Sequence, residues 1–131
     1  LPEFNISNPN GTVSNKYFQN KFVLVIFFST TCSDCQKALP DISTLYNTYK
    51  SKSSVCVLLI ARDETEEEVT TYFRKHQYDM EFFADPHREV YSLFAGNTIP
   101  RVFLAGKDGT IILTQTEKVD VGKINATIAS L

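Results

Sequence analysis

Phe22-Val-Leu-Val-Ile-Phe-Phe-Ser-Thr-Thr-Cys32-Ser-Asp-Cys35 is the stretch whose reading decides the fold. Seven consecutive apolar residues, mostly β-branched or aromatic, predict a strand buried on both faces. Small polar residues end the strand, and the chain is then expected to turn into a helix. Cys32 falls at the helix start and Cys35 one turn further on. A helix N-terminus presents unpaired N–H groups and a partial positive charge, which favour a thiolate. A second cysteine three residues later can reach the first and close a small disulfide. The stretch therefore points to a dithiol–disulfide redox site.

The rest of the composition bounds this reading. With 131 residues, 43% of them hydrophobic and 12% aromatic, the chain has enough apolar material for one domain with a real core. Thirteen basic against fifteen acidic residues leave a net charge of −2, which gives no reason to expect nucleic acid or an anionic membrane surface as partner. No apolar run approaches the roughly 18 residues of a membrane span. The chain begins with Leu1, so a mature or excised piece is expected, from which a leader, membrane anchor or additional domain has been removed. Three cysteines argue against a purely structural disulfide framework. No metal site is expected, because zinc normally takes four ligands and neither a second C-x-x-C nor a paired histidine is present. Cys56, in the middle of an apolar run, reads as a core residue.

Taken in order, residues 1–11 are polar, rich in Asn and broken by Pro2, Pro9 and Gly11, and read as a loose leader or linker. The domain proper is expected over residues 12–131. It opens with an extended piece at Thr12-Val13-Ser14 and continues with the buried strand. Ala38, Leu39, Ile42, Leu45, Tyr46 and Tyr49 recur at helical spacing, predicting a helix over 33–50 that is kinked at Pro40. Val55-Cys-Val-Leu-Leu-Ile60 predicts a second central strand, parallel to the first through a right-handed crossover. Thr65-x-x-Glu68 fits a capping box, and Val69, Tyr72, Phe73 and His76 form the inner stripe of the helix it opens. Residues 81–84 suggest an edge strand. Asp85-Pro86 suggests the start of a short helix carrying Val90, Leu93 and Phe94. After a turn at 96–100, strands at 102–105 and 110–115 flank a Gly106-Lys-Asp-Gly109 hairpin, and Asp120 starts a last helix with Val121, Ile124, Ile128 and Leu131 on one face. The expected architecture is α/β, with a mixed central sheet flanked by helices on both faces.

These residues carry a resemblance. Strand, C-x-x-C and helix, a proline five residues past the second cysteine (Pro40), and Ile99-Pro100 before a later strand resemble a thioredoxin-like fold. Residues 12–131 are more closely similar to the extracytoplasmic thiol–disulfide oxidoreductases of the TlpA/ResA type. The similarity lies in Phe-Phe-Ser-Thr-Thr-Cys-Ser-Asp-Cys, Leu39-Pro40, the extra helix before Ile99-Pro100, and Gly106-Lys-Asp-Gly109-Thr-Ile. The resemblance implies Cys32 as nucleophile, Cys35 as resolving thiol and Pro100 as a cis-proline facing them. It also implies a substrate-facing surface at Thr31, Ser33, Asp34, Ile99, Pro100 and Arg101. The Ile99 backbone would pair with an extended substrate segment. Beyond the Cys32–Cys35 disulfide itself no cofactor is implied. The implied partners are proteins with disulfides or thiols and an upstream dithiol reductant, in the periplasm or at an outer, membrane-associated surface.

Three departures from the family pattern shape the expected chemistry. Phe28 and Thr31 stand where tryptophan is usual, and the chain has no Trp. Ile26 stands where thioredoxins bury an acid. Ala38 stands where TlpA/ResA-type members often place a Glu. Both usual proton acceptors for the resolving thiol are thus missing, which leaves water or Lys37 for that part. Asp34 opposes thiolate formation at Cys32 while the helix start favours it, so a reducing couple is expected rather than a strongly oxidising one. The alternative readings are a peroxiredoxin-like thiol peroxidase, a copper-delivery module of related fold, and a non-catalytic binding module.

Overall fold

A computed structural model describes residues 1–94 and 96–130. Its framework is a five-stranded sheet in the order β5 (Phe83–Asp85), β4 (Val55–Arg62), β3 (Phe22–Phe28), β6 (Arg101–Ala105) and β7 (Ile111–Thr116). The central strand β3 is Phe22–Phe28, and all seven of its residues are buried. Burying such a side chain is worth about 1.5–3 kcal/mol each, so the fold condenses on this run. β4 (Val55–Arg62) lies parallel to β3, with Phe28 opposite Ala61. On its other side β3 pairs antiparallel with β6 (Arg101–Ala105), Phe27 facing Arg101. A hairpin through Gly106–Gly109 leads to the edge strand β7 (Ile111–Thr116). The opposite edge is the short β5 (Phe83–Asp85), parallel to β4. The mixed sheet with its antiparallel hairpin at one edge is therefore as the residue pattern predicts.

The helices cover the sheet. α2 (Ser33–Tyr49) follows β3, holds Pro40 within it and buries Cys35, Ala38, Leu39, Ile42, Leu45 and Tyr49. α3 (Glu66–Lys75) has the full capping box, with Thr65 Oγ1 accepting from the Glu68 N–H and the Glu68 carboxylate accepting from the Thr65 N–H. α4 (Val121–Ala129) is capped by the Asp120 side chain. Leu131, placed on its apolar face by spacing, lies outside the described residues.

Three expectations are corrected. Residues 1–11 are not a loose leader. Asn5–Asn8 forms β1, paired antiparallel with β2 (Gly11–Ser14), and a short helix α1 (Asn15–Phe18) follows. Phe4 and Ile6 enter the core, the Phe4 ring 5.6 Å from Phe18 and 5.8 Å from Phe94. Two large apolar side chains at a spacing of two outweigh the polar composition around them. The second correction concerns His76, which is exposed rather than on the inner stripe. α3 stops at Lys75, so His76 falls past the last turn and stacks on Tyr72, 4.0 Å between ring centroids. Finally, the short helix after Asp85-Pro86 is only a 3-10 turn, Tyr91–Leu93, with Leu93 exposed. The Asp85 carboxylate accepts the backbone N–H groups of Val90 and Tyr91, which organises a turn and not a helix start.

Candidate active site

The site sits at the C-terminal end of β3, where open α/β sheets generally place ligands. Phe28 is the last strand residue, and Ser29 to Thr31 make the turn into α2. Cys32 is the N-cap of α2, with extended backbone (φ −87°, ψ 126°) and no side-chain cap of its own. Its side chain is half-buried, beside the unpaired N–H groups of the first helical turn. Cys35 lies one turn on and is fully buried. None of the three cysteines is bonded to another.

Topology supplies the facing wall. Because β6 is antiparallel to β3, its entry lies beside the end of β3, which brings Ile99 next to Cys32 across 67 residues of sequence. The Cys32 Sγ lies 3.8 Å from the Ile99 carbonyl oxygen, to which it donates. The Ile99–Pro100 peptide is cis, and both residues are buried. Thr31, Ser33 and Asp34 are exposed around the cysteine. Arg101 folds back from this surface. Its guanidinium lies over the Phe103 ring, 5.0 Å from the centroid, and fills the space where a side chain on residue 96 would stand. Gly96, at φ +125°, is the residue type that permits this approach. A groove of about 590 Å³ opens beside Thr31, bordered by Gln36, Thr71, Tyr72 and Lys75.

Burial dominates the chemistry of Cys35, pushing its thiol far above the ordinary thiol range. A backbone hydrogen bond from Ser29 opposes this, the Cys32 thiol adds to it, and the Arg62 guanidinium opposes it more weakly. Neither Ile26 nor Ala38 offers a proton acceptor, and Lys37 is exposed. The residue that sequence reasoning missed is Glu64. Its side chain is buried and accepts both the N–H and the hydroxyl of Thr30. The Asp63-Glu64-Thr-Glu-Glu-Glu68 run reads as a solvated loop and helix start. The one available signal was position, since Glu64 precedes the N-cap Thr65 and so need not face solvent with the first-turn acids.

A family model described as thioredoxin-like matches residues 20–111. Thiol-disulfide oxidoreductase ResA of Bacillus thuringiensis subsp. konkukian is 32% identical over 114 residues, covering 85% of this chain and 64% of the relative. The chain thus spans just under two thirds of that relative's length. A candidate thioredoxin from Neisseria meningitidis superposes with a TM-score of 0.83 at 30% identity, over 98% of this chain and 87% of the other. StoA from Bacillus subtilis, at 19% identity and a TM-score of 0.79 over 96% of both chains, shares the fold.

Proposed function

The chain belongs to the thioredoxin-like family, and from that premise we propose that it is a thiol–disulfide oxidoreductase working as a reductant of protein disulfides. The observation that carries this reading is the pairing of a half-buried Cys32 at the mouth of α2 with a buried Cys35 one turn away. The Cys32 thiolate attacks one sulfur of a substrate disulfide, that S–S bond breaks, and the other substrate sulfur leaves as a thiolate. Cys35 then loses its proton to water and attacks Cys32. The substrate's second thiolate leaves, and the Cys32–Cys35 bond closes. Two electrons pass from the dithiol to the substrate, and an upstream dithiol protein returns them.

Substrate recognition follows from the same geometry. An extended substrate segment lies along Ile99 and Pro100 and pairs with the Ile99 backbone. Its flanks meet Thr31, Ser33, Asp34 and the groove beside them, while Arg101 shapes the loop from behind. The electrons reside in the Cys32–Cys35 pair, so no further cofactor is invoked. Similarity to ResA supports this assignment, and the need for disulfide substrates that persist supports an extracytoplasmic, membrane-associated setting. The test is reduction of a disulfide-bonded protein coupled to a dithiol reductant. Turnover abolished by Cys32→Ser is expected. Equal turnover in that variant, or peroxide consumption that survives Cys35→Ser, would overturn the assignment.

A further inference from the structure

Thr30, two residues before Cys32, has all three of its polar groups held by side chains from other elements. Its N–H donates to Glu64 Oε1 at 2.7 Å and its hydroxyl donates to Glu64 Oε2. Its carbonyl accepts from Gln36 Nε2 on α2 at 2.7 Å. Turns between a strand and a helix are ordinarily solvated; here Thr30 is 5% exposed and Glu64 is 3% exposed. Glu64 has no cationic partner among the described residues. Burying a carboxyl group is unfavourable unless specific hydrogen bonds compensate, and here the two Thr30 donors supply them. The other buried carboxyl group, Asp85, accepts from Val90 and Tyr91 and organises their turn. Glu64 is instead spent on the segment that carries Cys32.

We propose that Glu64 is a positioning residue for the redox pair. With Gln36 it clamps Thr30, and so fixes where the Cys32 sulfur stands relative to Cys35. The clamp joins the β4–α3 connection to the β3–α2 turn, and Gln36 ties that turn to the helix bearing Cys35. The attack of Cys32 on an outside disulfide needs only an accessible thiolate. Closing the Cys32–Cys35 bond is intramolecular and needs the two sulfurs in register, and such steps lose rate steeply when geometry loosens. The clamp therefore acts on resolution and not on initial attack. This inference rests on the exchange reading above.

The experiment follows an aromatic disulfide probe that releases one coloured thiolate on attack by Cys32 and a second on resolution by Cys35, with Cys56→Ala as background. In Glu64→Ala the second release is expected to slow by at least about tenfold, with the first changed by less than about threefold. Glu64→Gln, whose amide oxygen still accepts from the Thr30 N–H, is expected to recover most of the resolution rate. Thr30→Val, which loses only the hydroxyl contact, is expected to slow resolution by about threefold, and it decides the matter if circular dichroism shows Glu64→Ala unfolded. Native resolution rates in Glu64→Ala, an equal slowing of both releases, or equal losses in the Ala and Gln variants would overturn the clamp. Failure of the unaltered protein to release even the first thiolate would overturn the exchange reading and the clamp with it.

Discussion

Resolution by Cys35 should depend steeply on pH, and the structure sets the size of the effect. In the dithiol, burial is the largest influence on the Cys35 thiol and pushes it far up; the Ser29 backbone pulls it down, the Cys32 thiol pushes up, and Arg62 pulls weakly down. Once Cys32 is held in a mixed disulfide its upward push is gone, but burial remains and still outweighs the two opposing groups. Only the thiolate attacks, so the resolution rate follows the small deprotonated fraction of Cys35. An ordinary thiol, titrating at about 8.5, would level off near that pH. Cys35 should instead gain about tenfold per pH unit, or about a thousandfold between about pH 6 and about pH 9, with no plateau. The perturbation is pH alone, and the assay is rapid mixing with the aromatic disulfide, reading the second thiolate release. A plateau at or below about pH 8.5 would refute the reasoning, because it would mean that burial does not govern the resolving sulfur.

Further outcomes follow from the same structure. Ala38 lies one helical turn beyond Cys35, so Ala38→Glu should supply the absent proton acceptor; resolution at about pH 7 is expected to rise at least about tenfold, general-base effects being about a hundredfold or more, and an unchanged rate would count against a missing acceptor. Burial pushes the Cys56 thiol up to about 11. The neutral thiol is the form the fold favours, so its contribution to stability is fully present below the unfolded thiol's value of about 8.5 and is lost as pH rises through about 11, by about 3 kcal/mol; denaturant titrations of Cys56→Ala should show a flatter alkaline decline than the native chain. The fully buried Phe27 ring stands 5.0 Å from both Tyr91 and Phe94, so Phe27→Ala should cost about 3–5 kcal/mol in urea unfolding, and a loss under about 1 kcal/mol would contradict its place at the centre of the core.

Sequence carries most where one local rule acts without competition. The apolar run 22–28 could only be a buried strand, and the Thr65–Glu68 box stated its own helix start; both stand in the structure. The Cys32–Cys35 spacing likewise placed one thiol at the helix mouth and the other a turn inside. What was not legible depends on tertiary partners. Phe4 looks isolated in a polar stretch until Phe18 and Phe94 arrive from elsewhere to receive it, and Ile6 joins the same core. His76 fits a helical stripe until the helix ends one residue earlier, with Gln77 at φ 60°. Glu64 sits among acids that face water, and only the position of Thr30 across the sheet end turns it inward. The proximity of Ile99 to Cys32 is legible only through resemblance, because it rests on β6 running antiparallel to β3.

The most direct measurement takes Cys35→Ser, mixes it with a disulfide-bonded protein, and maps any covalent complex by mass spectrometry. The expected result is one mixed disulfide, through Cys32, that accumulates because no second sulfur can displace it. Absence of any complex, or a complex formed through Cys56 instead, would contradict the central claim that Cys32 is the attacking sulfur.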